Sequence, residues 1–134
     1  MYAFRFEHKT KLAFGTARTK GLKTINSGPY SYPTSNLPEE IADNFKLMSR
    51  NHSKGKHPNI WDDLGMTDYS EINKHFCACP SLETLKKWFF RYNAFLLENN
   101  FVIVAYELSN LVEGKSKKQV FFKRENIISK TIIR

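Results

Sequence analysis

Residues 81–108 read SLETLKKWFFRYNAFLLENNFVIVAYEL, a helical pattern running directly into a strand. Ser81 follows Pro80 and can cap a helix. Leu82, Leu85, Trp88 and Phe89 recur at helical spacing, with Lys86, Lys87 and Arg91 on the outer face. Ala94–Glu98 carries the helical pattern on to Asn99-Asn100, a residue type that commonly ends helices in the left-handed conformation. Phe101–Leu108 is then almost unbroken apolar sequence. Such a strand is buried on both faces, which predicts a central position in a sheet.

Working outward, Gln119-Val-Phe-Phe-Lys follows the polar Ser109–Lys118 connection and is expected to return beside the central strand as an antiparallel hairpin. Ile127-Ile128 and Ile132-Ile133 suggest a last short strand. At the other end, Tyr2, Phe4, Phe6 and His8 alternate with Ala3, Arg5 and Glu7, the period of a strand. Residues 9–36 collect glycine and proline and read as loop, with short strands near Leu12–Phe14 and Leu22–Ile25. Ser35 or Asn36, Pro38, Glu39 and Glu40 form a helix start, and Ile41, Phe45 and Met48 give that helix an apolar face through about Arg50. Residues 51–70 form a polar connection in which Trp61 and Leu64 should pack down. There is no internal repeat and no low-complexity tract. These elements predict an α+β fold spanning 1–134 as one domain: a mostly antiparallel sheet with two or three helices packed to one side.

The chain has 134 residues, with 41% hydrophobic and 14% aromatic residues, enough to build a core and to exclude wholesale disorder. No apolar run approaches the roughly 18–20 residues that span a bilayer. The charged, alternating start lacks the pattern of a signal peptide. Cys77 and Cys79 are one residue apart, too close for an ordinary structural disulfide, so a reducing, cytoplasmic setting is expected. The formal charge of +8 is unevenly spread. Residues 1–24 carry +5 and residues 114–134 carry +6, which leaves the middle at −3. If the two ends pair as neighbouring strands, they form one basic surface that attracts anions.

Zinc is not expected: His52, His57, His75, Cys77 and Cys79 offer donors, but Cys-Ala-Cys is too short for a zinc-module spacing. The cysteines read instead as small buried hydrophobes. Phosphate-binding glycine loops and nucleophile elbows are absent, and the adjacent pairs Glu39-Glu40 and Asp62-Asp63 diverge too much to act as paired carboxylates. What remains is a binding constellation. Gly28-Pro29-Tyr30-Ser31-Tyr32-Pro33 is a rigid turn presenting aromatic rings, and His52, His57 and Asp62 add polar groups from a second loop. If both loops lie over the strand bearing Arg5, the expected ligand site comprises Arg5, Tyr30, Tyr32, His52, His57, Asp62 and Gln119, with no metal and no cofactor.

Gly28-Pro29-Tyr30, His52…His57-Pro58…Asp62, Pro80-Ser-Leu-Glu-Thr-Leu-Lys-Lys-Trp-Phe, Phe101–Glu107 and Gln119-Val-Phe-Phe occur in an order that resembles small uncharacterised proteins of bacteriophages and prophages. That resemblance implies an accessory or anti-defence role. More distantly, Tyr2–Glu7 with Arg5, and Gln119 through Ile128 with Glu125, are similar to the first and last strands of the ADP-ribosyltransferase fold, with Ser31 standing for its middle motif. The leading expectation is a non-catalytic phage accessory protein that binds a phosphorylated nucleotide or an acidic surface on a host defence protein. A transferase using a nicotinamide dinucleotide is the enzymatic alternative. The third is a sequence-nonspecific nucleic-acid binder using the basic ends.

Overall fold

The structure, a computed structural model, describes residues 1–9, 28–31, 37–52, 57–72 and 74–133. In chain order the elements are β1 (Tyr2–His8), a 3-10 turn (Pro29–Ser31), α1 (Glu39–Asn51), α2 (Ile60–Leu64), α3 (Tyr69–Ile72), β2 (His75–Ala78), α4 (Leu82–Trp88), α5 (Asn93–Glu98), β3 (Phe101–Leu108), β4 (Val112–Glu113), β5 (Val120–Lys123), a second 3-10 turn (Arg124–Asn126) and β6 (Ile127–Ile132). The fold is α+β, with two three-stranded antiparallel sheets ordered β1-β3-β6 and β2-β5-β4. The expected short strands near residues 12–14 and 22–25, and Tyr32, lie outside the described residues.

β3 is central to its sheet, as its apolar sequence requires, with β1 on one side and β6 on the other. Two pairings differ from expectation. β5 does not form a hairpin with β3; it pairs with β2 and β4. Both edges of β3 are taken by β1 and β6, so Val120 and Phe122 of β5 pack against its face instead, with the Phe122 and Tyr106 rings 5.0 Å apart. Nor do the two terminal strands pair with each other, since β3 lies between β1 and β6.

The core is built in layers. Ala3, Val102, Val104, Tyr106 and Leu108 of the first sheet meet Phe76, Ala78, Val120 and Phe122 of the second. On the first sheet's outer face, Phe6, Phe101 and Ile103 pack against Phe45 and Met48 of α1, Leu85 of α4 and Leu96 of α5. Each such ring or branched side chain contributes about 1.5–3 kcal/mol on burial. The second sheet has its own outer cover, in which Phe121 meets Leu64 of α2 and Ile72 of α3. The 51–70 connection therefore does pack down, but through Leu64; Trp61 is 40% exposed. Ser81 caps α4 by accepting from the Thr84 amide at 3.0 Å, and Asn100 takes the left-handed conformation (φ 69°) before β3. Among the described residues no helix is long and apolar enough to cross a membrane.

Candidate functional site

Besides their packed faces, the two sheets are joined among the described residues by one isolated backbone bridge. Phe4 and Cys79 exchange both backbone hydrogen bonds at 2.8 Å, and among the described residues β1 and β2 share no further ladder pairing. A cavity of about 230 Å³ lies at this seam. Phe4, Arg5 and Phe6 of β1 line it with His75, Cys77 and Cys79 of the β2 segment, and Leu85 and Trp88 of α4 form another wall. The Gly28–Tyr30 turn and Gln119 complete it. Most of this lining is aromatic or apolar, with a small set of polar groups among it, the usual make-up of a small-molecule site.

Among the described residues lining this cavity, Arg5 is the cation. Its side chain is 12% exposed, its Nε lies 3.3 Å from Glu7 Oε2, and its guanidinium stands over the Phe76 ring at 5.4 Å. Glu7 is fully buried and also accepts from the Tyr106 hydroxyl at 2.5 Å. Burial, with the Glu7 charge next, pushes the Tyr106 phenol far above its usual range, so it remains a donor. Gly28 sits so close that a Cβ there would lie 3.3 Å from an Arg5 guanidinium nitrogen. Glu7 and Tyr106 were not among the expected site residues. The available signal was a carboxylate two positions from Arg5 on the same strand face, close enough to hold it.

Tyr30 stacks on Phe89 at 5.6 Å, and its hydroxyl is enclosed although 45% of the residue is accessible. Trp88 Nε1–H donates to that hydroxyl at 2.5 Å, and the hydroxyl in turn meets His52 Nδ1 at 2.5 Å. Burial, the dominant effect, drives the Tyr30 phenol well above its ordinary range. His52 and His57 do not line the cavity. Their rings stack at 3.9 Å behind its Tyr30–Trp88 wall, where His57 Nε2 donates to the Trp88 carbonyl at 2.7 Å. Gln119 is buried and donates to the Pro58 carbonyl at 2.9 Å. Asp62 is exposed in the first turn of α2, where its carboxylate accepts from Asn59 at 3.0 Å, and it is not part of the cavity. The structure thus gathers Arg5, Tyr30 and Gln119 at one cavity, with the histidines one layer behind.

The cysteines divide. Cys79 is buried in the core, as read, whereas Cys77 is exposed, its side chain opening onto the cavity. Desolvation by the cavity's apolar lining pushes the Cys77 thiol up to about 11 although the residue is exposed, and burial pushes the Cys79 thiol up to about 12, so both are protonated near neutrality and poor nucleophiles. Among the described residues no three His, Cys, Asp or Glu side chains gather in a metal-binding group. Glu125, which the transferase resemblance places with the last strand, is exposed in the 124–126 turn and is not among the residues lining the cavity. The side chain of Ser31 lies outside the described residues.

The histidine stack makes stability depend on pH. Burial first, and the stacked His57 second, lower the His52 pKa to about 4. The unfolded chain therefore takes up a proton below about 6.5 that the folded chain refuses. The stabilising effect is complete above about pH 6.5 and is lost as pH falls through that value toward 4. For this partly exposed ring, solvent screening reduces the expected loss to about 1–2 kcal/mol. Urea midpoints measured from pH 7 to 4.5 should drop more steeply for the natural protein than for His52→Phe, and parallel curves would refute this account.

Fold and cleft together define a small α+β protein with an aromatic-walled cavity at the seam of two sheets. The family model described as bacteriophage T4 Y00F protein matches residues 1–133, and the chain belongs to that family. No curated protein and no solved structure matches the chain, so the resemblance to the ADP-ribosyltransferase fold gains no support.

Proposed function

We propose that this phage protein binds a compact ligand carrying one aromatic ring and an anionic group, of nucleotide type, and holds it without chemical change. The observation that carries this reading is the pairing of an aromatic-walled cavity with a guanidinium fixed in its wall by a buried carboxylate. Phe6, Phe89, Trp88 and Tyr30 supply ring faces and edges, while Arg5 supplies planar donors suited to phosphate or carboxylate oxygens. At about 230 Å³ the cavity is smaller than the roughly 300–1,000 Å³ of pockets for drug-sized ligands. It suits one ring with its substituents rather than an entire dinucleotide. One feature favours binding over turnover: the two thiols of the lining are held protonated. In a phage setting, capture without turnover would withhold a nucleotide from the host in its cytoplasm, an anti-defence role.

A thermal-shift screen of cyclic and linear mononucleotides tests this. At 100 times its dissociation constant, a bound ligand adds about 2.7 kcal/mol, a rise of roughly 8–12 °C for a chain of this size. Cys77→Phe, which places bulk into the cavity from a position opening onto it, should abolish the shift and leave the unliganded melting point nearly unchanged. Absence of any nucleotide-dependent shift, or an undiminished shift in Cys77→Phe, would overturn the proposal.

A further inference from the structure

The corner between α4 and α5 carries a second constellation, on the other side of the cleft's Trp88 wall. α4 stops at Trp88, and the side-chain amide of Asn93 pins the turn by donating to the carbonyls of Lys86 at 3.0 Å and Phe89 at 3.1 Å. Arg91 is held at φ 77°, in the left-handed region that side chains other than glycine avoid. The result is an exposed ring. Phe90 is 69% accessible, with the Arg91 guanidinium 5.8 Å from its centroid. Phe90 and Lys87 also border two hollows. One, of about 330 Å³, is lined further by His52, His57, Trp88 and Arg91; the other, of about 550 Å³, by Leu82, Glu83, Lys86 and Asn93. Lys86, Lys87 and Arg91 are exposed around the ring, and among the described residues lining the two hollows they stand against one carboxylate, Glu83, which lies 3.1 Å from Lys87.

We propose that this corner binds single-stranded nucleic acid, with bases stacking on Phe90 and entering the flanking hollows while phosphates meet Lys86, Lys87 and Arg91. The charge complements a phosphate backbone, and an exposed ring between two hollows is a platform that any unpaired base can use through its π-face. An acidic peptide would use the cations but not the ring. A duplex keeps its base faces stacked away from it. None of the terminal basic segments is needed, and Arg5 plays no part, so this inference stands apart from the cleft.

The test is fluorescence anisotropy of a labelled oligothymidylate with the full chain at low salt, using a duplex of equal length and polyglutamate as competitors. Phe90→Ala should weaken binding by about 5- to 100-fold, whereas Phe90→Trp should retain it. Lys86→Ala and Lys87→Ala should each reduce the log–log salt slope by about 0.7. Arg91→Gly separates binding from folding: it relieves the left-handed strain, so the melting temperature should hold or rise while affinity falls. No binding at low salt, equal affinity in Phe90→Ala, or competition by the duplex or polyglutamate as strong as by unlabelled oligothymidylate would overturn the proposal.

Discussion

Arg5→Met should destabilise the protein by about 3–5 kcal/mol, the usual cost of removing one partner from a buried ion pair. The argument rests on Glu7 rather than on Arg5. Glu7 has no exposed side-chain surface, and among the described residues the Arg5 guanidinium, at 3.3 Å, is the cation facing it. Taking a carboxylate out of water is costly, and Tyr106 offers it a neutral donor where Arg5 offers a full positive charge. Methionine keeps most of the aliphatic length of arginine, so packing against Phe76 is largely preserved and the loss reports charge. The control is the double variant Arg5→Met/Glu7→Gln. With the carboxylate neutralised, the single-variant cost should shrink by about half or more, giving a coupling well above the 0.3–0.5 kcal/mol expected of independent sites. Urea denaturation of the four proteins in the cycle measures it. A single-variant loss under 1 kcal/mol, or strict additivity, would remove Glu7 from its role as holder of Arg5. In the cleft, Arg5→Met should also eliminate any nucleotide-dependent thermal shift, since the remaining lining carries no other fixed cation among the described residues.

Periodicity made the strands and the longer helices legible. Alternation over Tyr2–His8, the apolar run Phe101–Leu108 and the capped, amphipathic start at Ser81 each encode a local structure whose energetics are settled within a few residues. Partner choice was not legible in the same way. Val120–Lys123 is equally suited to lie beside β3 or to face it, and the difference arises because β6, later in sequence, occupies that edge. The break between α4 and α5 was invisible for a related reason. It contains no glycine or proline, and the turn is imposed by Asn93 side-chain bonds and a left-handed arginine. For the site, arginine, tyrosine and glutamine were recognisable by chemistry, and the structure brings them together. Two adjacent aspartates could not be ranked from sequence. Asp62 faces outward beside Asn59, while its neighbour turns inward and ties two loops together.

That neighbour gives the second large effect: Asp63→Ala should cost about 2–4 kcal/mol, by loss of two hydrogen bonds to a buried charge. Asp63 is 2% exposed, and its carboxylate accepts from the Ser116 amide at 2.6 Å and the Ser116 hydroxyl at 2.9 Å. Its backbone carbonyl accepts from Lys115 at 2.8 Å. Gly114 is required beside it, because a Cβ there would fall 2.3 Å from a carboxylate oxygen. Together these contacts bind α2 to the turn joining β4 and β5. Asp63→Asn should cost less than half as much as alanine. Its carbonyl oxygen can still accept from the Ser116 amide, and its amide group can donate to the Ser116 hydroxyl, which rotates to accept. The consequence reaches the cleft. The same turn leads into Gln119, whose amide holds the Pro58 carbonyl and whose side chain lines the cavity. Loosening it should reduce nucleotide-dependent stabilisation in Asp63→Ala without touching a lining residue, and Asp63→Asn should restore most of that stabilisation. Urea midpoints and ligand thermal shifts of the two variants decide the matter, and an alanine variant within 1 kcal/mol of the natural protein would show that the two loops are held together by other contacts.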